Sequence, residues 1–289
     1  MKVAVLGASG KTGRHLVARL CEEGFDVTAV GLSAERLAAL DRRARQAVAD
    51  LERPAAVKAA LGGAERVVSL AHARFTRAVL AALPPGCERA VLTGSVRKFS
   101  KIPDSGAQAV RAGEAAFAAS GRPGVMLHPS MIYGAPDDRN VGRILRLIRR
   151  WPKGLPLSVP LPDGGRHLVQ PVFIDDMVAA VFGALTRDEA PGPPIVVAGP
   201  EPITYAEMVR TCARALGRRA VVVPIPTAAA AGIARCAAAL GVRLPFEAAE
   251  LRRAGEDKRF DITDMRRRLG VTPRPFAEGL RLKLARGWG

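Results

Sequence analysis

Short apolar runs alternate with stretches in which apolar residues recur every three or four positions, and the alternation persists to Pro129. Apolar runs of a few residues read as strands, and the 3.6-residue period reads as amphipathic helices. On that basis residues 2–6 form a first strand and residues 11–23 a helix closed by Gly24. A strand at 26–30, a helix at 34–41 and a short strand ending at Ala49 follow. A helix at 54–61 leads to a strand at 66–70, and another helix runs through Leu83 to a strand at 89–92. Residues 108–120 read as a helix and 124–127 as a strand. Six β units alternating with helices predict an α/β fold, a doubly wound parallel sheet of Rossmann type.

Beyond Pro129 the alternation breaks into connections rich in Pro and Gly, notably at 152–165 and 190–202. Helical periods persist at 141–150, 174–186, 205–216, 227–240 and 275–285. They predict a smaller, mostly helical C-terminal cap, the part of the chain left for substrate binding. The expected division is a Rossmann domain over 1–150, with elements around 166–200 returning to it, and a cap over most of 151–289.

Composition bounds the function more weakly. Hydrophobic residues make up 48% and charged residues 25%, the profile of a globular chain that can bury a core. The net charge of +17 eases acceptance of a phosphorylated ligand, although an Arg- and Ala-rich composition alone produces such a balance. No aromatic residues alternate with the cations, so base stacking on nucleic acid is not expected. Cys21, Cys87, Cys212 and Cys236 show neither a C-x-x-C pair nor metal spacing and read as reduced thiols. No apolar run approaches the ~20 residues of a membrane span, so the expected location is cytoplasmic.

The sharpest chemical signal is Gly7-Ala8-Ser9-Gly10-Lys11-Thr12-Gly13, which follows a strand and opens a helix. In that context Gly7 permits a tight turn, Gly10 lets the backbone approach a pyrophosphate, and Gly13 lets the helix pack on the sheet. The helix N-terminus then presents unpaired N–H groups and a positive dipole end to the phosphates.

The G-x-x-G-x-x-G spacing resembles the short-chain dehydrogenase/reductase (SDR) superfamily in its extended and atypical branches. Further segments carry the resemblance in order along the chain. Asp50-Leu51 is similar to the adenine-contacting Asp-Leu, Ser69-Leu70-Ala71 to the segment flanking the ribose and nicotinamide, and Thr93-Gly94-Ser95 to the catalytic Ser/Thr site. The run from His128 through Pro129 and Met131 to Gly134 resembles the extended-branch R-P-x-x-x-Y-G, with His in place of Arg. The run from Gln170 to Met177 resembles a later P-V-x-V-x-D-x-A signature, and Asp261 to Asp264 and Leu269-Gly270 its C-terminal end. The resemblance implies an NAD(P)-binding protein with NAD(P)-dependent epimerase/dehydratase-like or NmrA-like relatives, and a homodimer formed through a helix pair. Its cofactor contacts fall on Gly7, Ser9, Gly10, Lys11, Thr12, Gly13, Arg14, Arg36, Asp50, Leu51, Leu70, Ala71, Thr93, Pro129 and Met131.

No acid ends the second strand, where one would bind the ribose hydroxyls of NAD. Lys11, Arg14 and Arg36 stand nearby, so NADP is the expected cofactor, with NAD as the alternative. The resemblance also implies a Tyr-x-x-x-Lys pair, in which Lys lowers the phenol pKa. Counted back from Glu114, those two positions hold Gly106 and Val110, and both functional groups are missing; a register shifted by one offers Ala107 and Arg111, which still gives no phenol. The chain has two tyrosines: Tyr133 lies in the P-x-x-x-Y-G segment and Tyr205 follows a helix cap. Ser95 alone survives, with His128 and His72 as substitute acids. His15 reads as a surface residue of the first helix, and His167 as a loop residue able to face the cleft.

Residues 141–150 form a basic amphipathic helix, on which Asn140, Arg143 and Arg146 are candidates to clamp a diphosphate or carboxylate of a small-molecule substrate. Three functions follow. The first is an atypical-SDR oxidoreductase reducing a carbonyl, quinone-like or nucleotide-linked substrate. The second is a dinucleotide-binding regulatory or scaffold protein without turnover. The third is a nucleotide-sugar epimerase or dehydratase, which the absent base disfavours.

Overall fold

The computed structural model describes residues 1–102, 104–152, 154–229, 232 and 255–287. Its centre is a seven-stranded parallel sheet of β1 (Lys2–Leu6), β2 (Asp26–Gly31), β3 (Arg45–Val48), β4 (Arg66–Ser69), β5 (Arg89–Thr93), β6 (Gly124–Pro129) and β11 (Ile195–Val197). In space these run β11-β6-β5-β4-β1-β2-β3. Val3, Ala4, Val5 and Leu6 are each at most 1% exposed, as expected where helices cover both faces of a parallel sheet.

One face packs against α1 (Lys11–Glu22), α7 (Ile174–Thr186) and α9 (Thr263–Leu269) through Leu16, Leu20, Met177, Val181, Met265 and Leu269. The other packs against α3 (Pro54–Leu61), α4 (Thr76–Ala82) and α5 (Ser105–Ala119) through Val57, Leu61, Val79 and Phe117. A short α2 (Ala34–Ala38) links β2 to β3. In register, Leu6 pairs with Val30 and Ser69, and Thr93 with Leu127, so the carboxyl ends of these strands form one rim. The strand order reverses between β1 and β4, which places a crevice at that rim.

A third core joins α6 (Val141–Arg150), α8 (Tyr205–Ala215) and α10 (Phe276–Ala285) around Tyr133, Phe173, Leu145, Met208 and Leu280. Two-residue ladders pair β7 (Ile132–Tyr133) with β10 (Val172–Phe173), and β9 (Leu168–Val169) with β12 (Ile203–Thr204). The helical period at 227–240 and Cys236 lie, apart from residues 227–229 and 232, outside the described residues.

Both stretches read as mere connections contain strands. Residues 152–165 include β8 (Leu157–Pro162), which pairs in parallel with β13 (Ala220–Ile225) despite Pro160, Pro162 and Pro224. Each strand of a two-stranded sheet has a free edge, and a proline whose missing N–H faces that edge costs no ladder bond. Residues 190–202 include β11, too short for a period to be read, with Ile195 and Val197 buried against the sheet. The fifth helix begins at Ser105 rather than Gln108, because the Asp104 carboxylate accepts the Gly106 N–H at 2.8 Å and caps it.

Candidate functional site

The turn after β1 forms a backbone cradle. Gly7 has φ +78°, a left-handed conformation that favours glycine, and its N–H and that of Ala8 donate to Val30 O at 3.0 and 3.1 Å. A Cβ at Gly10 would sit 3.0 Å from Gly7 O, and one at Gly13 would overlap the carbonyl oxygens of Gly7 and Ala8. The helix therefore begins directly against the sheet. No side chain caps its N-terminus at Gly10, so the first-turn N–H groups face the crevice. A Cβ at Gly7 would lie 3.5 Å from Ala71 N, which places Leu70 and Ala71 beside the turn. Such a cradle fits a dinucleotide pyrophosphate, which needs close backbone approach and unpaired N–H donors.

Beyond β2 the Ser33 hydroxyl caps α2 through the Arg36 N–H at 3.2 Å, and the Arg36 guanidinium reaches back to Ser9 O at 3.0 Å. This folds an exposed cation over the turn. Arg14, half-buried on α1, forms an ion pair with Asp137, in the segment before α6. Asp50 accepts the Glu52 N–H at 2.9 Å, and Leu51 packs on the second core.

Behind β5 stands a network of side chains. Thr93 Oγ1 donates to Ser69 O at 3.0 Å, and the Ser95 N–H donates to His128 Nδ1 at 3.1 Å. Ser95 Oγ accepts the Arg97 N–H at 3.1 Å, so its own proton is left to donate outward. His128 is 1% exposed, and its Nε2 lies 2.6 Å from Glu114 Oε2, which also pairs with Lys98. Burial first, then the Lys98 charge, push the imidazole down to about 4 from its ordinary 6.5. Burial opposes ionisation of Glu114, but the Lys98 hydrogen bond and His128 outweigh it and hold the carboxyl below its usual range. Gly94 is required here: a Cβ would overlap His128 Nδ1.

His128 thus lies beneath the crevice surface and supports Ser95 through the backbone. Val110 is 3% exposed, and Gly106 is covered by the Arg97 guanidinium. Arg97 and Lys98 carry no motif, so sequence reasoning passed over both. The one signal was Gly106 itself, a glycine in a helix where Ala would be favoured by about 1 kcal/mol.

The tyrosines lie elsewhere. Tyr133 is 1% exposed and donates to Phe276 O at 3.1 Å, and burial drives its phenol pKa far upward. Tyr205 begins α8, whose cap is Thr204. His72 is exposed and accepts the Arg74 N–H through Nδ1, whereas His15 is half-buried rather than on the open surface. His167 stands between Asp163 at 3.6 Å and Asp257 at 3.4 Å. Pro129 is buried at the end of β6 and Met131 packs on the third core. Asn140 Nδ2 donates to Ile132 O at 3.3 Å and Arg146 to Asp138 O at 3.4 Å; Arg143 is half-buried on α6. No described helix is long and apolar enough to cross a membrane.

Comparison with known proteins agrees with this geometry. Residues 7–122 match a family model described as NAD(P)H-binding. The chain is 29% identical over 289 residues to the uncharacterized protein Rv2047c of Mycobacterium tuberculosis, covering 96% of this chain but 29% of that protein's length. The chain thus spans under a third of that longer relative. Its fold is similar to an NADPH-dependent quinone oxidoreductase from Escherichia coli, with TM-score 0.77, 18% identity and coverage of 98% and 99% of the two chains. It is also similar to a short-chain dehydrogenase/reductase superfamily protein from Agrobacterium tumefaciens with bound NAD, with TM-score 0.74, 18% identity and coverage of 99% and 97%. Over residues 7–122 the chain is thus similar to NAD(P)H-binding proteins, and its fold is similar to that of a short-chain dehydrogenase/reductase superfamily protein.

Proposed function

We propose that this protein is an NADPH-dependent oxidoreductase of the atypical SDR type, reducing a small carbonyl, quinone-like or nucleotide-linked acceptor. The observation that carries it is the glycine cradle at the crevice, set beside a Ser95 hydroxyl free to donate, with no phenol at position 106. Gly7, Ser9, Gly10, Lys11, Thr12 and Gly13 hold the pyrophosphate by backbone donors and the α1 dipole. Arg36, with Lys11, meets the 2′-phosphate in the space where no acid follows β2. Asp50 and Leu51 flank the adenine, and Leu70, Ala71, Thr93, Pro129 and Met131 flank the nicotinamide half. The bound cofactor supplies a hydride from its nicotinamide ring. Ser95 polarises the acceptor oxygen, and His128 orients Ser95 by accepting its N–H. Solvent supplies the proton, a requirement that suits acceptors already activated by conjugation.

A second reading, dinucleotide binding without turnover, is favoured by Gly106 and Val110 at the positions of the missing pair. Purified protein separates the two: sustained NADPH oxidation with quinones or enones supports catalysis, and tight NADPH binding with no turnover across that panel supports a sensor or scaffold. Interconversion of UDP-sugars would instead favour the epimerase alternative.

A further inference from the structure

We infer that Arg97 binds a carboxylate that the acceptor carries beside its reducible group, which rests on and deepens the oxidoreductase function proposed above by naming its substrate class as small planar acceptors bearing a carboxylate. A Cβ placed on Gly106 would lie 2.7 Å from Arg97 Nη1, 2.8 Å from Cζ and 3.0 Å from Nε. These three near-equal distances mean that the guanidinium lies flat on the first turn of α5, filling the space where a side chain at 106 would project. The absence of a Cβ there is what admits it.

The guanidinium is also held. Arg97 Nε forms an ion pair with the Asp104 carboxylate, whose side chain is 7% exposed and whose other oxygen caps α5. The arginine side chain itself is 38% exposed. Nη1 and Nη2 make no hydrogen bond among the described residues, so a paired fork of donors remains, the arrangement that matches a carboxylate. The neighbouring cations are engaged: Lys98 pairs with Glu114, and Arg111 Nη1 donates to Lys98 O at 2.6 Å. Ser95 Oγ accepts the N–H of Arg97 itself, so the serine proton and the guanidinium fork are donors on one short segment.

A phenol and a guanidinium do different chemistry. The first can deliver a proton, whereas the second stays charged at any ordinary pH and holds negative charge without neutralising it. With the Arg97 fork beside the Ser95 hydroxyl, the site is suited to an acceptor that carries a carboxylate as well as the oxygen that Ser95 polarises.

Benzoate, with benzamide as its neutral counterpart, is the probe. Calorimetric titration into NADPH-loaded protein should show saturable benzoate binding and no benzamide binding. Arg97→Gln should weaken benzoate by about tenfold or more, Arg97→Lys by less, and Gly106→Ala should weaken it by displacing the fork. Melting temperature and quenching of NADPH fluorescence, read on the same samples, check folding and cofactor binding. Equal benzoate affinity in wild type and Arg97→Gln, equal binding of benzamide, or no saturable benzoate binding overturns the inference. Absence of NADPH binding would instead overturn the proposed function, so the two failures are distinct.

Discussion

Between Gly7 and Gly13 the chain presents bare backbone to the crevice, whereas between Ser95 and Gly106 it presents side chains braced by other side chains. Both segments follow strands that end on the same rim of the sheet. In the turn, the lack of side chains shapes the structure: Gly13 allows α1 to start against the carbonyls of Gly7 and Ala8, and no side chain caps the helix N-terminus at Gly10. Behind β5, Lys98, Glu114 and His128 come from a 3-10 turn, a helix and a strand to hold one serine backbone in place. A backbone site tolerates almost no added atom. A side-chain network tolerates repacking but depends on charge and pH.

The largest effect should come from Gly13→Ala, whose methyl overlaps two backbone carbonyls. It should destabilise the fold by about 3 kcal/mol and abolish NADPH binding, read by denaturant melts and fluorescence quenching. Retention of both would remove the cradle from the account.

Next is His128→Ala, which opens a cavity and deprives Ser95 N–H and Glu114 of their partner. A loss of about 2–3 kcal/mol is expected. The sign of its pH dependence is set by the depressed imidazole pKa. Above pH 6.5 neither state is protonated; between 6.5 and about 4 the unfolded chain binds a proton that the folded one refuses. Wild-type stability should therefore fall as pH drops through that window, and the alanine variant should fall less steeply.

Arg36→Ala tests the rim of the cradle. NADPH affinity should drop about tenfold while NADH affinity stays level, measured by titration of both cofactors. Equal loss for both would place Arg36 on the turn alone, through Ser9 O.

Smallest is Glu256→Gln. Glu256 accepts from Ser100 Oγ and Lys101 N, each at 2.7 Å, and so fastens the segment after Arg97 to the C-terminal part of the chain. Replacement should cost under about 1 kcal/mol. It should also raise amide exchange at Lys101; unchanged exchange would show that the loop holds its shape without this tie.

The same contrast governs what could be read in advance. The turn was legible residue by residue because its function is local: three glycines, a strand before and a helix after leave little freedom. Helix α6 and helix α7 were legible to the residue because an apolar face repeats over ten or more positions. Strand β8, with two prolines in six residues, carries no such signal and exists because β13 pairs with it. Helix α5 starts three residues before its apolar period does, because a single cap residue, Asp104, sets its beginning. At the site, Ser95 and His128 could be singled out separately. Their shared hydrogen bond, and the Glu114 and Lys98 that complete it, could not, since Ser95 and His128 stand 33 positions apart.

By itself the sequence determined a Rossmann-type sheet and the glycine turn, because each rests on local periodicity or on residue identity at a counted position. Only the tertiary structure decided that His128 lies buried beneath Ser95, that Glu114 and Lys98 converge on it, and that Arg97 fills the space above Gly106. Those arrangements depend on how β5, α5 and β6 pack together. Packing is set by the sum of many distant apolar contacts, which no window along the chain contains.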